Sequence, residues 1–385
     1  MNYRLQCLTP TLVGDGSSLS PIDYMVWKNQ VNVLDQRRIF RLLAKGPRLD
    51  NYLMQVKRAD KLDFASWGGF AQNFAGRRIP FEHPSYAAYW ERMRAEHCHI
   101  PLFASSTSGP YLPGSALRGA LRTALVAART SPKALAALQK SLEGERGSRR
   151  PAETLERQLL GRATHDLMKS IAISDSGPIE ESAFRIFLLR TAVLVEKKSG
   201  GGRCYSLGWK QAPRGSVEGR RVEDATPTLA EMAYPGAIFE GRWQQRPFFE
   251  RKEISQSLHG KEPLQWQTLF SAANDYAERM LEAHRRFLQA AALPLVDRTL
   301  TELTQRLAAA RERGNACLLA LGWGAGLLSK ITADPQHQES RDLLGSFPFY
   351  SSAIRSGMPF PKTRRIVFLD NQPAALPGWV WLEIG

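Results

Sequence analysis

Hydrophobic and polar residues follow two different spacings along this chain, and the spacing predicts where strands and helices lie. Alternating hydrophobic positions are typical of half-buried strands, whereas positions three or four residues apart are typical of amphipathic helices. Alternation predicts strands at residues 3–9, 24–27, 30–34, 171–173, 183–195, 237–243, 317–321, 366–369 and 379–384. Helical spacing predicts helices at residues 111–125, 152–160, 266–292 and 298–313. Both halves mix strands with helices, which indicates an α+β fold.

The clearest helix lies within residues 111–125. Leu117, Leu121 and Leu125 recur every four residues, so they form one stripe that we expect to be buried. Ser115 is placed to cap the start of this helix, because a serine hydroxyl accepts a hydrogen bond from the free backbone N–H groups of a first turn.

The same helix start is a candidate anion site. The backbone N–H groups at Gly114 and Ser115 and the positive end of the helix dipole favour a phosphate, although capping alone explains Ser115 equally well. Arg118 and Arg122 share another face and repel each other unless an anion lies between them or each faces solvent. We favour a phosphate there.

Chain length and an interruption of the pattern bear on the domain organisation. The chain has 385 residues, more than a single hydrophobic core usually serves, so we expect two domains, at residues 1–225 and 226–385. From residue 196 to 224 the hydrophobic pattern is lost, and basic residues and glycines are interleaved with Tyr205 and Trp209. We predict a projecting basic loop whose cations meet phosphates and whose aromatic rings stack on bases, with a solvated insertion as the alternative.

The charge of the chain indicates the class of its partner. The net charge is +15 at pH 7, and the isoelectric point is near 9.9. Such an excess favours a polyanion, since each cation that neutralises a phosphate releases condensed counterions. Nucleic acid is the leading candidate. A membrane partner would require a lipid anchor or a basic amphipathic helix, and neither is evident.

Apolar runs and cysteines indicate the compartment. Residues 1–10 lack the features of a signal peptide, and the longest apolar run, at residues 316–328, is interrupted by glycines and too short to span a bilayer. The four cysteines have no short paired spacing, which argues against a disulfide framework or a Cys-based zinc site. The sequence predicts a cytoplasmic protein with reduced thiols.

A glycine-rich segment at residues 322–330 is the strongest candidate for phosphate binding. Gly322, Gly324 and Gly326 alternate, and Ser329 and Lys330 follow them. The spacing fits neither the P-loop nor the dinucleotide-binding fingerprint. Glycines nevertheless let backbone N–H groups approach a phosphate closely, and a nearby lysine adds charge. A tight packing turn is the alternative.

Three cations precede a strand near residue 366. Lys362, Arg364 and Arg365 would lie at a sheet edge or rim, which suits phosphate contact. The alternative is an edge strand whose charges prevent aggregation.

Candidate catalytic and metal-binding side chains are few. His97, Cys98 and His99 are adjacent, but neighbours on a strand point to opposite faces, so they cannot converge on one ion without a bend. Asp15 and Asp175 sit in turns where an acid could act, and Asp is also a common turn former. We expect no catalytic residue, no bound metal and no cofactor.

Several segments occur in an order that is typical of one family. They are, in order, residues 9–16, 111–125, 173–182, 322–330 and 360–365. In these segments the chain resembles the RAMP-superfamily subunits of type III CRISPR effector complexes, and most closely the fifth Csm subunit of type III-A systems. The resemblance implies two ferredoxin-like, RRM-type domains with helical insertions, an α+β fold.

The resemblance also implies a function. It predicts a non-catalytic subunit for antiviral defence that binds CRISPR RNA at one end of the complex, near the 3′ part of the guide. Gly14 and Gly16 of the first turn would contact that RNA together with the site residues named above. Partners would be the CRISPR RNA, the target RNA through the guide, and the backbone and small Csm subunits. Alternatives are a RAMP endoribonuclease that processes CRISPR RNA and a type III-B RAMP subunit.

Overall fold

A computed structural model of the chain describes residues 1–44, 48–58, 61–62, 74–143, 151–162, 166–199, 202–211, 218–219, 221–246, 251, 253 and 263–385. Arg214 and Arg220 of the predicted basic loop lie outside the described residues. The described strands are β1 (Asn2–Cys7), β2 (Ser18–Leu19), β3 (Tyr24–Trp27), β4 (Gln30–Leu34), β5 (Ala75–Pro80), β6 (Ile100–Pro101), β7 (Ser105–Ser106), β8 (Gly109–Pro110), β9 (Ile171–Ile173), β10 (Phe184–Ser199), β11 (Gly202–Lys210), β12 (Glu218–Gly219), β13 (Thr228–Ala233), β14 (Ile238–Gln245), β15 (Ala316–Ala320), β16 (Thr363–Leu369), β17 (Gln372–Ala375) and β18 (Trp379–Ile384).

The described α-helices cover the long periodic segments and several shorter ones. They are α1 (Gln36–Leu43), α2 (Arg48–Arg58), α3 (Ser85–Arg92), α4 (Gly114–Arg129), α5 (Pro132–Glu143), α6 (Pro151–Leu160), α7 (Trp266–Ala291), α8 (Pro294–Arg313), α9 (Gln338–Gly345) and α10 (Pro348–Arg355). Every strand and helix predicted from the spacing is present, and its ends lie at the predicted residues or within a few residues of them. The α+β prediction is confirmed. Among the described residues, no helix combines the length and the apolar character needed to cross a membrane.

The first strand of the chain is the central strand of the first sheet: β1 lies between β14 and β18. The strand order is β15, β18, β1, β14, β9, and every neighbouring pair is antiparallel. α7 and α8 pack against β15. The buried side chain of Asn274 in α7 donates to the carbonyl of Ala316 and accepts from the N–H of Leu318, so the helix satisfies backbone groups of this edge strand.

The second sheet is built around the long strand β10. The order is β12, β11, β10, β16, β17, and β13 also pairs with β10. β10 and β11 pair continuously from Ala192 with Trp209 to Ser199 with Gly202, so the segment predicted as a basic loop is largely a β-hairpin. The prediction of a loop was wrong because lysines and glycines hide the alternation, whereas backbone pairing between two strands does not require apolar side chains.

Both sheets draw strands from both sides of residue 225. β1 pairs with β14 and β18, and β10 pairs with β16. The strands of each sheet are therefore interleaved along the chain. The division into domains at residues 1–225 and 226–385 stays a prediction.

A small third sheet, β3-β4-β5, packs with α1 and α2 around its own core, which includes Met25, Leu34 and Ile39. Its first hairpin turns at Lys28 and Asn29, whose φ values are 51° and 58°, as a two-residue turn with positive φ at both positions requires. The two strands of this hairpin were predicted correctly, at residues 24–27 and 30–34.

Candidate nucleic-acid interface

The glycine-rich segment forms a turn after β15 that packs on the first turn of the chain. The φ values of Gly322, Gly324 and Gly326 are 76°, 94° and 83°, a region that side chains rarely adopt. The N–H of Trp323 donates to the carbonyl of Leu12 at 2.8 Å, which fixes the turn in place. In the part of the chain that the structure describes, the N–H groups of Gly324 and Gly326 have no hydrogen-bond acceptor. They are available to a phosphate.

Two adjoining pockets meet at this turn. The first, which we call the turn pocket, has a volume of about 660 Å³ and brings together the first turn, one face of α4 and the glycine-rich turn. Its lining includes Gly14, Gly16, Ser17, Ser115, Gly119, Thr123, Gly322, Trp323 and Lys330. Three segments that are distant in sequence therefore converge on one surface.

The second pocket, which we call the threonine pocket, has a volume of about 600 Å³ and lies between the glycine-rich turn and the second sheet. Its lining includes Thr191, Lys210, Thr226, Thr228, His284, Gly322, Gly324, Gly326, Lys330, Thr363, Arg364 and Arg365. Gly322 and Lys330 line both pockets, so the two adjoin, and we call them together the groove. Among the described residues, no carboxylate lines either pocket, which makes the groove favourable for a polyanion.

Arg365 links the second sheet to the glycine-rich turn. Its guanidinium carbon lies 3.9 Å from the centroid of the Trp323 ring, within the range of a cation–π contact. The side chain is exposed and lines the threonine pocket. The indole therefore holds a cation at the groove.

Arg364 points the opposite way, because successive residues of a strand face opposite sides of a sheet. Its Nε donates to Nδ1 of His284 at 2.8 Å, and the guanidinium also donates to the carbonyls of Pro361 and Ala283. Burial lowers the pKa of Arg364 to about 9 and holds the pKa of His284 well below its usual range. The predicted rim cation is thus a buried one with internal partners. Lys362 is exposed, as expected, and lines neither pocket.

The arginines of α4 also have internal partners. Arg118 donates to the carbonyl of Met168 at 2.9 Å. Arg122 contacts Glu156 at 2.8 Å and Asp166 at 2.6 Å, and the pKa of this guanidinium is raised by these carboxylates in spite of its partial burial. The anion between the two arginines was predicted to be a phosphate, and for Arg122 the structure shows carboxylates of the protein instead.

The start of α4 is capped from a distance. The carboxylate of Asp175 accepts a hydrogen bond from the N–H of Gly114 at 2.8 Å, whereas Pro113 occupies the cap position and makes no side-chain cap bond. Gly114 is buried, and a Cβ there would lie 2.5 Å from the carbonyl oxygens of Ile173 and Ser174. The prediction of Ser115 as the cap was wrong. Ser115 is exposed and faces the turn pocket.

Ser329 has an internal role too. Its side chain is buried, and the hydroxyl donates to the carbonyl of Gly326 at 3.0 Å, which closes the end of the glycine-rich turn. Lys330, the next residue, is exposed at the junction of the two pockets. Of these two predicted contacts, only Lys330 is presented to the groove.

The candidate acids have structural roles. Asp15 accepts from the N–H of Ser17 at 2.9 Å, and hydrogen bonds from Ser17 lower the pKa of its carboxyl. Asp175 caps α4, as described. Cys98 is buried, and burial raises the pKa of its thiol. Within the described ranges, no three His, Cys, Asp or Glu side chains are grouped to hold a metal ion.

Sequence reasoning did not single out the threonines of the second pocket as a site. Thr191, Thr228 and Thr363 lie on three different strands, and only the register of those strands brings them together. Scattered threonines in strands are ordinary, so no local signal marks them.

Comparisons with known proteins show the family and the fold of the chain. A model of the RAMP superfamily matches residues 4–329. The chain is similar to one in the cryo-EM structure of a Csm-crRNA-target RNA ternary complex of a type III-A CRISPR-Cas system, with 19% identity, 100% of both chains covered and a TM-score of 0.65. It is also similar to the crystal structure of T. onnurineus Csm5, with 17% identity, 98% of this chain and 99% of that chain covered, and a TM-score of 0.60. None of the curated proteins matches.

Proposed function

The chain belongs to the RAMP superfamily, and from that premise we propose that it is a non-catalytic RNA-binding and assembly subunit of a type III-A Csm complex. In this proposal it binds CRISPR RNA at the end of the complex near the 3′ side of the guide, meets target RNA through the guide, and contacts backbone and small Csm subunits. Full-length likeness to a chain of a Csm-crRNA-target RNA complex supports this assignment.

One observation carries the RNA-binding part of the proposal. The groove has the free N–H groups of Gly324 and Gly326, cations at Lys210, Lys330 and Arg365, and, among the described residues, no lining carboxylate. Backbone N–H groups and cations are the donors that phosphates accept from, and glycines allow the strand to come close. A small-molecule site would instead present an apolar pocket with a few polar groups.

Crosslinking tests where RNA binds. Single-stranded RNA that carries 4-thiouridine is irradiated with the purified chain, and the crosslinked peptides are identified by mass spectrometry. We expect crosslinks to peptides that contain residues 12–18, 115–123 and 321–330. RNA that crosslinks only outside the groove, or not at all, contradicts the assignment.

The absence of catalysis is tested separately. Labelled CRISPR RNA is incubated with the chain, with and without divalent metal ions, and its length is followed on a denaturing gel. We expect it to remain intact. Cleavage that a single His or Asp substitution abolishes would show a RAMP endoribonuclease instead. Copurification with partner subunits distinguishes type III-A from type III-B membership.

A further inference from the structure

The threonine pocket places three hydroxyls on one face of the second sheet. Thr191 of β10 is opposite Arg365 of β16, Val193 is opposite Thr363, and Leu189 is opposite Thr228 of β13. Directly opposite residues in antiparallel strands share a face, and alternate residues along β10 share it too. Thr191, Thr228, Thr363 and Arg365 therefore face the same side, toward the glycine-rich turn.

Among the described residues, these hydroxyls have no hydrogen-bond partner. In the part of the chain that the structure describes, no hydrogen bond from the side chains of Thr191, Thr228 or Thr363 is present. All three side chains are half-buried and line the threonine pocket. A β-branched side chain is stiff at χ1, so each hydroxyl has few positions to choose from. The pocket thus presents hydroxyls that are fixed in position and, among the described residues, without a partner.

The surroundings of the hydroxyls favour an anion. Lys210, Lys330 and Arg365 line the same pocket. Behind them, the buried guanidinium of Arg364 contacts only neutral acceptors among the described residues, so no carboxylate cancels its charge. The pocket volume of about 600 Å³ is in the range of sites that hold a ligand the size of a nucleotide.

Cations and hydroxyls recognise different parts of a nucleotide. A phosphate oxygen accepts hydrogen bonds, and lysine and arginine are its usual donors. A threonine hydroxyl both donates and accepts, as does the ribose 2′-hydroxyl, which is the group that distinguishes RNA from DNA. A pocket that bound only phosphates would not require side chains that accept hydrogen bonds.

We propose that the threonine pocket holds a short segment of the bound strand, and that Thr191, Thr228 and Thr363 recognise ribose hydroxyls along this segment. The chain then selects RNA over DNA along this segment. The inference rests on the proposed RNA-binding function and adds to it the part of the strand that is recognised.

The experiment compares matched strands. Binding of fluorescent single-stranded RNA and of DNA with the same sequence is measured by anisotropy for the full chain, for the triple variant Thr191→Val, Thr228→Val, Thr363→Val, and for the control Thr301→Val on α8. Valine keeps the shape and the strand preference of threonine, and urea denaturation checks that each variant is folded. We expect the triple variant to bind RNA roughly tenfold or more weakly, since each lost hydrogen bond costs about twofold to tenfold. Its affinity for DNA should be unchanged.

The outcomes separate the two claims. If the wild-type chain binds neither strand, the proposed function fails. If the wild-type chain binds RNA, and the triple substitution weakens the binding of RNA and DNA equally or weakens neither, the proposed function stands. The threonine inference is then overturned. A second measurement applies if the triple variant does not fold: RNAs with a single 2′-deoxy position are bound to the wild-type chain, and we expect at least one such position to weaken binding. Equal affinity at every position overturns the inference.

Discussion

Gly322 lies against the carbonyl of Leu12 so closely that a Cβ on this glycine would be 2.0 Å from the carbonyl oxygen. The contact joins the glycine-rich turn to the first turn of the chain, and both turns line the turn pocket. The site and the stability of the fold therefore depend on the same glycine.

Replacing Gly322 by Ala should destabilise the protein strongly. The positive φ and the clash with Leu12 add up, and we expect a loss of roughly 2–5 kcal/mol in the free energy of unfolding, measured by urea denaturation. Gly314→Ala is the matched control, since Gly314 has a φ of 72° but no atom within 4 Å of its added Cβ. The control should lose only about 1–2 kcal/mol. Equal losses would mean that the contact with Leu12 is unimportant.

The second prediction concerns Asp175, whose carboxylate caps the start of α4. Asp175→Ala removes the acceptor for the N–H of Gly114 and should lower the free energy of unfolding by about 1 kcal/mol. Asp175→Asn keeps an acceptor and should lose less. Ser115→Ala should leave stability unchanged, because Ser115 is not the cap. A larger effect at Ser115 than at Asp175 would contradict the structure.

Lys330 should contribute to RNA binding through its charge. Lys330→Ala is expected to weaken binding of single-stranded RNA by roughly tenfold and to reduce the slope of log affinity against log salt by about 1. The control Lys133→Ala removes the same charge from an exposed position on α5 that lines neither pocket. Anisotropy titrations at several salt concentrations measure both quantities. An identical decrease for the two variants would show that only net charge matters.

His284 should make stability depend on pH. Its pKa is held well below the usual range in the folded protein, whereas the unfolded chain protonates it below about pH 6.5. The unfolded state therefore binds more protons, and this group lowers stability by up to about 1.4 kcal/mol per pH unit as the pH falls below 6.5. His284→Gln retains an acceptor for Arg364 and should reduce the slope of unfolding free energy against pH between 5 and 6.5. An unchanged slope contradicts the prediction.

The elements of the fold could be predicted from the sequence, whereas much of the site could not. Spacing of hydrophobic residues is a local signal, so it located α4, α7 and β10. The pairing of Arg122 with Asp166 and the cap from Asp175 depend on how distant segments pack, and no local pattern encodes them. Charge alone therefore overestimated the number of arginines that are free to bind RNA.

The local sequence also does not show which of the cations near residue 364 face the groove. Lys362, Arg364 and Arg365 look equivalent in the sequence, yet strand alternation sends Arg364 to His284 and Arg365 to Trp323. A predicted strand at these residues would have assigned Arg364 and Arg365 to opposite faces of the sheet. It would not have shown which of the two faces lines the groove.

The interleaving of strands has a consequence for the order of events during synthesis. β1 is enclosed by β14 and β18, and the groove needs both residues 12–18 and residues 321–330. A ribosome releases the first of these segments long before the last, so β1 emerges before β14 and β18 are available to pair with it. Contacts at such large sequence separation form slowly. The groove is therefore completed only when nearly the whole chain has emerged, and a chain truncated before residues 321–330 lacks it.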